Sequence, residues 1–198
     1  MPVDIGRIQA ALASARRDSS DFDLNPGLAL PQGRNLRPAA VLIGLWDGPD
    51  GDRLILTKRA SHLQHHPGQI AFPGGKVDKN DTGVEATALR EAQEEIGLPP
   101  NRVQLLGRLP AHETVTGFQI TPILGHIRAD FKAVPQPGEV DEVFTVPLGH
   151  VLDPANYRIE RRLWRGEWRH FYAVPYGPYY IWGATARILR GLAERLAQ

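Results

Sequence analysis

The chain has 198 residues, enough for one domain with a substantial core. With 42% hydrophobic residues, 23% charged residues and a formal net charge of +1, it has the composition of a soluble globular protein and no general attraction to nucleic acid or anionic membrane. Cysteine is absent, which excludes disulfides and thiolate metal sites.

Residues 4–16 read as a short amphipathic helix, with Ile5, Ile8 and Leu12 on one side. Acids and arginines interrupt its apolar positions, so this start does not have the pattern of a signal peptide. No apolar run approaches the roughly 20 residues of a membrane span, and a cytoplasmic protein without membrane partners is expected. "NPGLALPQGRNLRP" is a proline- and glycine-punctuated connector expected to drape over the domain. We therefore divide the chain into an N-terminal helix and connector, 1–37, packed on a single domain, 38–198.

"AAVLIGLWD" and "DRLILTKRA" are short apolar runs of the kind that form buried strands, and "GPDG" between them predicts a hairpin. Residues 83–97 predict a helix whose apolar side includes Ala86, Leu89 and Ile96, stopped at Gly97. "RVQLLGRL" and "FQITPILGHIRA" are expected strands around the loop "PAHETVTG", followed by the strand "EVFTVPL" and a short helix near "LGHVLD". "YRIERRLW" and "EWRHFYAV" read as a hairpin around "RGE". "YIWGATARILRGLAERLA" is a terminal helix with Ile181, Ala184, Ile188, Leu192 and Leu196 at helical spacing. Hairpins mixed with two long helices argue against a purely parallel doubly wound sheet, and the fold class is α/β of the α+β kind with a mixed sheet.

Glu91, Glu94 and Glu95 lie at i, i+3 and i+4 on the central helix, within about a 100° arc of its surface. Like charges so placed repel, and only Arg90 is nearby to offset them. A divalent cation reverses that cost, because Mg²⁺ favours hard carboxylate oxygens completed by water and phosphate. Upstream, "FPGGK" is a turn whose glycines let backbone approach an ion or phosphate closely.

This stretch resembles the Nudix box, G-x5-E-x7-R-E-U-x-E-E-x-G-U with U aliphatic. Gly75 matches its first glycine and "REAQEEIGL", 90–98, its second half, with Ala92 at the aliphatic place. The family's first glutamate position, more structural than catalytic, holds Asp81, and eight residues instead of seven separate it from Arg90. The preceding "ILTKRASHLQHHPGQIAFPGG" is similar to the signature of coenzyme A pyrophosphatases, L-L-T-x-R-[SA]-x3-R-x3-G-x3-F-P-G-G. Thr57, Arg59, Ala60, Gly68, Phe72, Pro73, Gly74 and Gly75 match, while Gln64 stands where the pattern has its second arginine. Glutamine lacks the planar cationic fork that reads phosphate. His62, His65 and His66 lie beside it without the neighbouring acid or cysteine that a zinc site would use.

The resemblance implies a Nudix-type α/β/α sandwich with a mixed sheet and the Nudix loop-helix. It also implies metal-dependent hydrolysis of a nucleoside diphosphate linked to another moiety, with Mg²⁺ or Mn²⁺ as cofactor. Coenzyme A, cleaved to 3′,5′-ADP and 4′-phosphopantetheine, is the substrate it favours. ADP-ribose or another dinucleoside pyrophosphate is the alternative, and a non-catalytic nucleotide-sensing domain a third. The metal ligands implied are Glu91, Glu94, Glu95 and the Gly75 carbonyl, with Arg90 orienting a helix glutamate. The proton acceptor is left open between a helix glutamate, Glu142 and Glu139. Arg59, Gln64, Gly68 and Phe72 are the implied substrate-binding positions. A small-molecule nucleotide is the expected partner, with no nucleic acid. The hairpins and N-terminal helix offer contacts for a homodimer.

Overall fold

A computed structural model describes residues 4–13, 17–28, 33–48, 51–128, 131–164 and 166–197. In chain order the elements are α1 (Ile5–Ala13), β1 (Ser19–Ser20), β2 (Arg37–Gly48), β3 (Gly51–Arg59), β4 (Ile70–Ala71), β5 (Gly74–Lys76) and α2 (Val84–Ile96). Then come β6 (Val103–Arg108), β7 (His112–Glu113), β8 (Phe118–Ile127), β9 (Val140–Pro147), α3 (Leu148–Leu152), β10 (Arg158–Trp164), β11 (Glu167–Ala173) and α4 (Gly183–Leu196).

Nine strands form one mixed sheet along the path β1-β7-β8-β2-β3-β4, with β5 on β2, β6 on β8 and β9 on β3. The long β2 organises it. One edge runs parallel to β8 from Arg37 opposite Phe118 to Trp46 opposite Ile127. The other edge is shared, its start pairing with β5 and its end with β3. β2 and β3 are apolar on both faces because both faces are covered, which is why they read as continuous runs.

Alternation along the strands sorts two cores. Ala40, Leu42, Ile55, Ile123 and Ile127 pack with Ala88, Ala92 and Ile96 of α2. Ile43, Leu45, Leu54, Leu56, Leu124, Phe144 and Val146 pack on the other face with Leu189, Leu192 and Leu196 of α4 and Ile8 of α1. The result is an α/β/α arrangement with β10 and β11 as a separate two-stranded sheet.

The connector is tied down by His112, fully buried, whose ring nitrogens bond the Ser19 hydroxyl at 2.9 Å and the Asp21 carboxylate at 3.1 Å. Several details differ from the sequence reading. The short strands β1, β4, β5 and β7 carry too few residues to show periodicity. Residues 14–16, Pro49 and Asp50 of the "GPDG" turn, Ala129 and Arg165 lie outside the described residues. The buried side of α2 is Thr87, Ala88, Ala92, Glu95 and Ile96, while Ala86 and Leu89 are only half-buried. α4 starts at Gly183, not Tyr180. Ile181 is buried but extended, its carbonyl accepting from Val174 N at 2.8 Å, and Trp182 bridges Ala173.

Candidate active site

The site is built where β5 is squeezed between β2 and α2. Gly74 and Gly75 are required there for different reasons. A Cβ on Gly74 would stand 2.4 Å from the Ala40 carbonyl oxygen, and one on Gly75 would stand 2.4 Å from a carboxylate oxygen of Glu91. So the first glycine lets the turn lie against the sheet, and the second lets a carboxylate lie against the turn.

α2 presents its carboxylates to that turn at three depths. Glu95 is 4% exposed and accepts a hydrogen bond from Gly74 N at 3.1 Å. Burial pushes its carboxyl up to about 7, with the charges of Glu91 and Glu139 adding to the rise and the Gly74 amide and Arg59 opposing it. Glu91 is half-buried and also raised, by burial first and then by Glu94 and Glu139, against the pull of Arg90. The Glu94 side chain is 56% exposed.

Arg90 gathers the loop and the helix. Its Nε and Nη2 donate to the two Asp81 carboxylate oxygens, each at 3.0 Å, and Nη2 also donates to the Lys76 carbonyl at 3.2 Å. Nη1 donates to Glu91 and Glu94, each at 3.0 Å. Thr87 Oγ1 donates to Asp81 at 2.8 Å, and the Asp81 carboxylate accepts from Asp78 N at 2.9 Å. The hydrogen bonds from Arg90 hold the Asp81 carboxyl far below the usual carboxylate range, and Asp81 in turn raises Arg90. Asp81 thus clamps the arginine that steers two helix glutamates. A nine-residue Asp–Arg separation across a loop carries no periodic signal, so sequence spacing did not reveal the pair.

The structure separates Glu139 from Glu142. Glu142 is paired with Lys58 in the β3–β9 register, two residues from Phe144, and so faces the α4 side of the sheet. Its carboxylate accepts the Tyr179 hydroxyl, and the Tyr179 ring stacks on Phe144. Glu139 precedes the strand, in a segment running along the end of α2, where Gln136 N donates to the Glu95 carbonyl at 2.9 Å. Its charge acts on both Glu91 and Glu95.

The other positions divide in the same way. Arg59 ends β3 close enough to Glu95 to lower its pKa, and it also lowers His66, after burial. Gly68 has left-handed backbone, φ 66°, and closes the histidine loop by donating to the Arg59 carbonyl at 3.2 Å. Gln64 is exposed in that loop. Phe72 is 4% exposed and packs in the α4-side core.

Among the described residues, no three His, Cys, Asp or Glu side chains are gathered as a ready-made metal cage. Glu91 and Glu94 turn to Arg90 instead. The donor chemistry nevertheless fits a hard divalent cation. Two carboxylates, one buried and one half-buried, lie against a glycine turn that a single Cβ would fill, and the sequence has no cysteine to offer a soft ligand.

A family model described as the NUDIX domain matches residues 35–165. The chain is similar to the uncharacterized Nudix hydrolase NudL of Escherichia coli O7:K1, 44% identical over 162 residues, covering 82% of this chain and 84% of the relative. NudL of Enterobacter sp. strain 638 is 45% identical over 165 residues with the same coverage. Among solved structures, the Nudix hydrolase RenU of M. smegmatis superimposes with a TM-score of 0.50 at 25% identity, over 58% of this chain and 73% of that one. The NUDIX domain of Shewanella oneidensis NrtR, solved with ADP ribose, gives 0.54 at 15% identity over 86% and 95%, a likeness of fold alone.

Proposed function

The chain belongs to the Nudix family, whose enzymes hydrolyse pyrophosphate bonds of nucleoside diphosphate derivatives, and we propose that its substrate is coenzyme A or a derivative, cleaved to 3′,5′-ADP and 4′-phosphopantetheine. The observation that carries this reading is the placement of Arg59, from the segment resembling the coenzyme A pyrophosphatase signature, within electrostatic reach of the buried Glu95. A phosphate drawn to a cation held by the carboxylates would lie within reach of the phosphate-reading Arg59 guanidinium.

Glu91 and Glu95 are the principal groups to hold a divalent cation, with Glu94 sharing the load and the Gly75 carbonyl contributing. Mg²⁺ or Mn²⁺ there supplies charge screening of the diphosphate and acidifies water. Arg90, fixed by Asp81, keeps the Glu91 carboxylate in place. Arg59 orients a phosphate. We assign acceptance of the proton of the attacking water to Glu139, a reading supported by its charge acting on both Glu91 and Glu95.

A substrate panel with Mg²⁺ and Mn²⁺, its products identified by mass, tests the reading. Coenzyme A or its thioesters are expected to give the highest kcat/KM. The exposed Gln64, in place of an arginine, favours a second reading in which ADP-ribose or a dinucleoside pyrophosphate is preferred. That preference would overturn the first. No product from any member, with ligand binding unchanged in Glu95→Gln, would point to a nucleotide-sensing domain.

A further inference from the structure

The β10–β11 hairpin stands apart from the main sheet, and its two edges differ. β11 is covered: the Asn25 side chain bonds both the amide and the carbonyl of His170, at 2.7 and 2.9 Å, and Ala173 bridges Trp182. Among the described residues, β10 makes strand pairing with β11 alone, leaving the edge of residues 158–163 open. An open edge of that length is a template for another strand.

The side chains say which strand fits. On one face, Ile159 pairs with Tyr172 and Leu163 with Trp168, and Ile159, Leu163 and Trp168 are 57%, 58% and 53% exposed. On the other face Arg162 lies directly opposite Arg169, an unfavourable pairing of like charges. So the edge offers apolar area, an arginine that lies 5.3 Å over the Trp182 ring with no acid across the strand pair, and an acid, Glu160, that accepts the Tyr180 hydroxyl and has further acceptor capacity.

A two-fold axis perpendicular to a sheet keeps every side chain on its own face, so two β10 strands can pair antiparallel only with residues of equal parity opposite. Centring the axis on Glu160 sets that acid against its copy and Arg158 against Arg162. Centring it on Arg162 sets that arginine against its copy. Centring it on Arg161 puts Glu160 opposite the partner's Arg162 and Ile159 opposite the partner's Leu163, each twice, and Arg158 opposite the partner's Trp164.

We propose that the protein dimerises by antiparallel pairing of β10 with β10 of a second copy, in the register centred on Arg161. The four-stranded sheet β11-β10-β10-β11 then continues each apolar row from Tyr172 through Ile159 to the partner's Leu163 and the partner's Trp168. Arg162 gains an acid on the side away from Arg169. The two Arg161 side chains at the axis are each held over a Trp168 ring, with the guanidinium carbon 4.7 Å from its centroid. This inference does not depend on which substrate is hydrolysed.

The absence of cysteine makes the register directly testable. Opposed residues of an antiparallel pair have Cα atoms about 4.5–5.5 Å apart, within disulfide range. Under mild oxidation of the full chain, R161C should form a disulfide-linked dimer, I159C and L163C should not, and an equal mixture of I159C with L163C should give the mixed dimer. By light scattering the unmodified protein should show twice the 21.9 kDa of one chain. E160R or R162E alone should weaken dimerisation by roughly tenfold or more, and the double variant E160R/R162E should restore it. A monomer at every concentration, I159C cross-linking to itself as readily as R161C, or a double variant no better than the singles would overturn the proposal.

Discussion

The helices α2 and α4 cover opposite faces of one sheet, and each buries one charged side chain, Glu95 on α2 and Arg195 on α4, in very different amounts of aliphatic surface. α4 turns Ile188, Leu189, Leu192 and Leu196 onto the sheet, and each large aliphatic so buried contributes about 1.5–3 kcal/mol. α2 turns Ala88, Ala92 and Ile96 inward together with a carboxylate, Glu95. Alanines contribute less, but they let the helix axis come close, which is how Glu95 reaches the Gly74 amide. The α4 face carries most of the large aliphatic packing, with Arg195 donating to the Ala11 carbonyl; the α2 face gives up apolar contact to gather several carboxylates at one turn.

That contrast is open to attack. The largest expected effect is on the α2 side: Glu91→Gln should lower kcat on the order of 10³-fold. The melting temperature of the metal-free protein should hold or rise, because a like charge has been removed from the helix face. Parallel collapse of activity and melting temperature would make Glu91 structural and erase the distinction. The converse variant is Leu192→Ala on α4, a side chain 1% exposed. It should cost about 3–5 kcal/mol in chemical denaturation and leave kcat/KM nearly unchanged while the protein is folded.

A smaller effect sharpens the claim that α2 carries charge against the fold. The Glu95 carboxyl is raised to about 7 in the folded chain, above its ordinary 4.5, so folding favours its protonated form. The associated stability of the metal-free protein is fully present below about pH 4.5 and is lost as pH rises through about 7, by up to about 3 kcal/mol. Denaturation curves across that range should show the loss in the parent and a flatter profile in Glu95→Gln. Equal profiles would mean that Glu95 is not strained by its surroundings.

Much of the α2 side was legible in the sequence. Helical spacing of Glu91, Glu94 and Glu95, the Gly75 match and the Gly97 stop are local features, and α2 with its glycine turn lies where they predict. Pairings that cross loops were not legible. Asp81 grips Arg90 because the loop folds back over nine residues. Glu139 and Glu142, three residues apart, part company because one precedes β9 while the other points to the far face of the sheet. Phe72 sits inside a motif that reads as ligand-binding, yet its ring packs in the core. β-strand parity, fixed by register and not by composition, decides the case of Glu142; the others depend on how a loop returns to the domain.

The separation of faces is therefore tested most directly by one paired measurement, the kcat of Glu139→Gln against that of Glu142→Gln on the best substrate with saturating Mg²⁺. The account predicts a fall of about 10²–10⁴-fold for Glu139→Gln, with Glu142→Gln staying close to the parent because its carboxylate is occupied by Tyr179 on the opposite face. A large fall for Glu142→Gln with Glu139→Gln unaffected would contradict it.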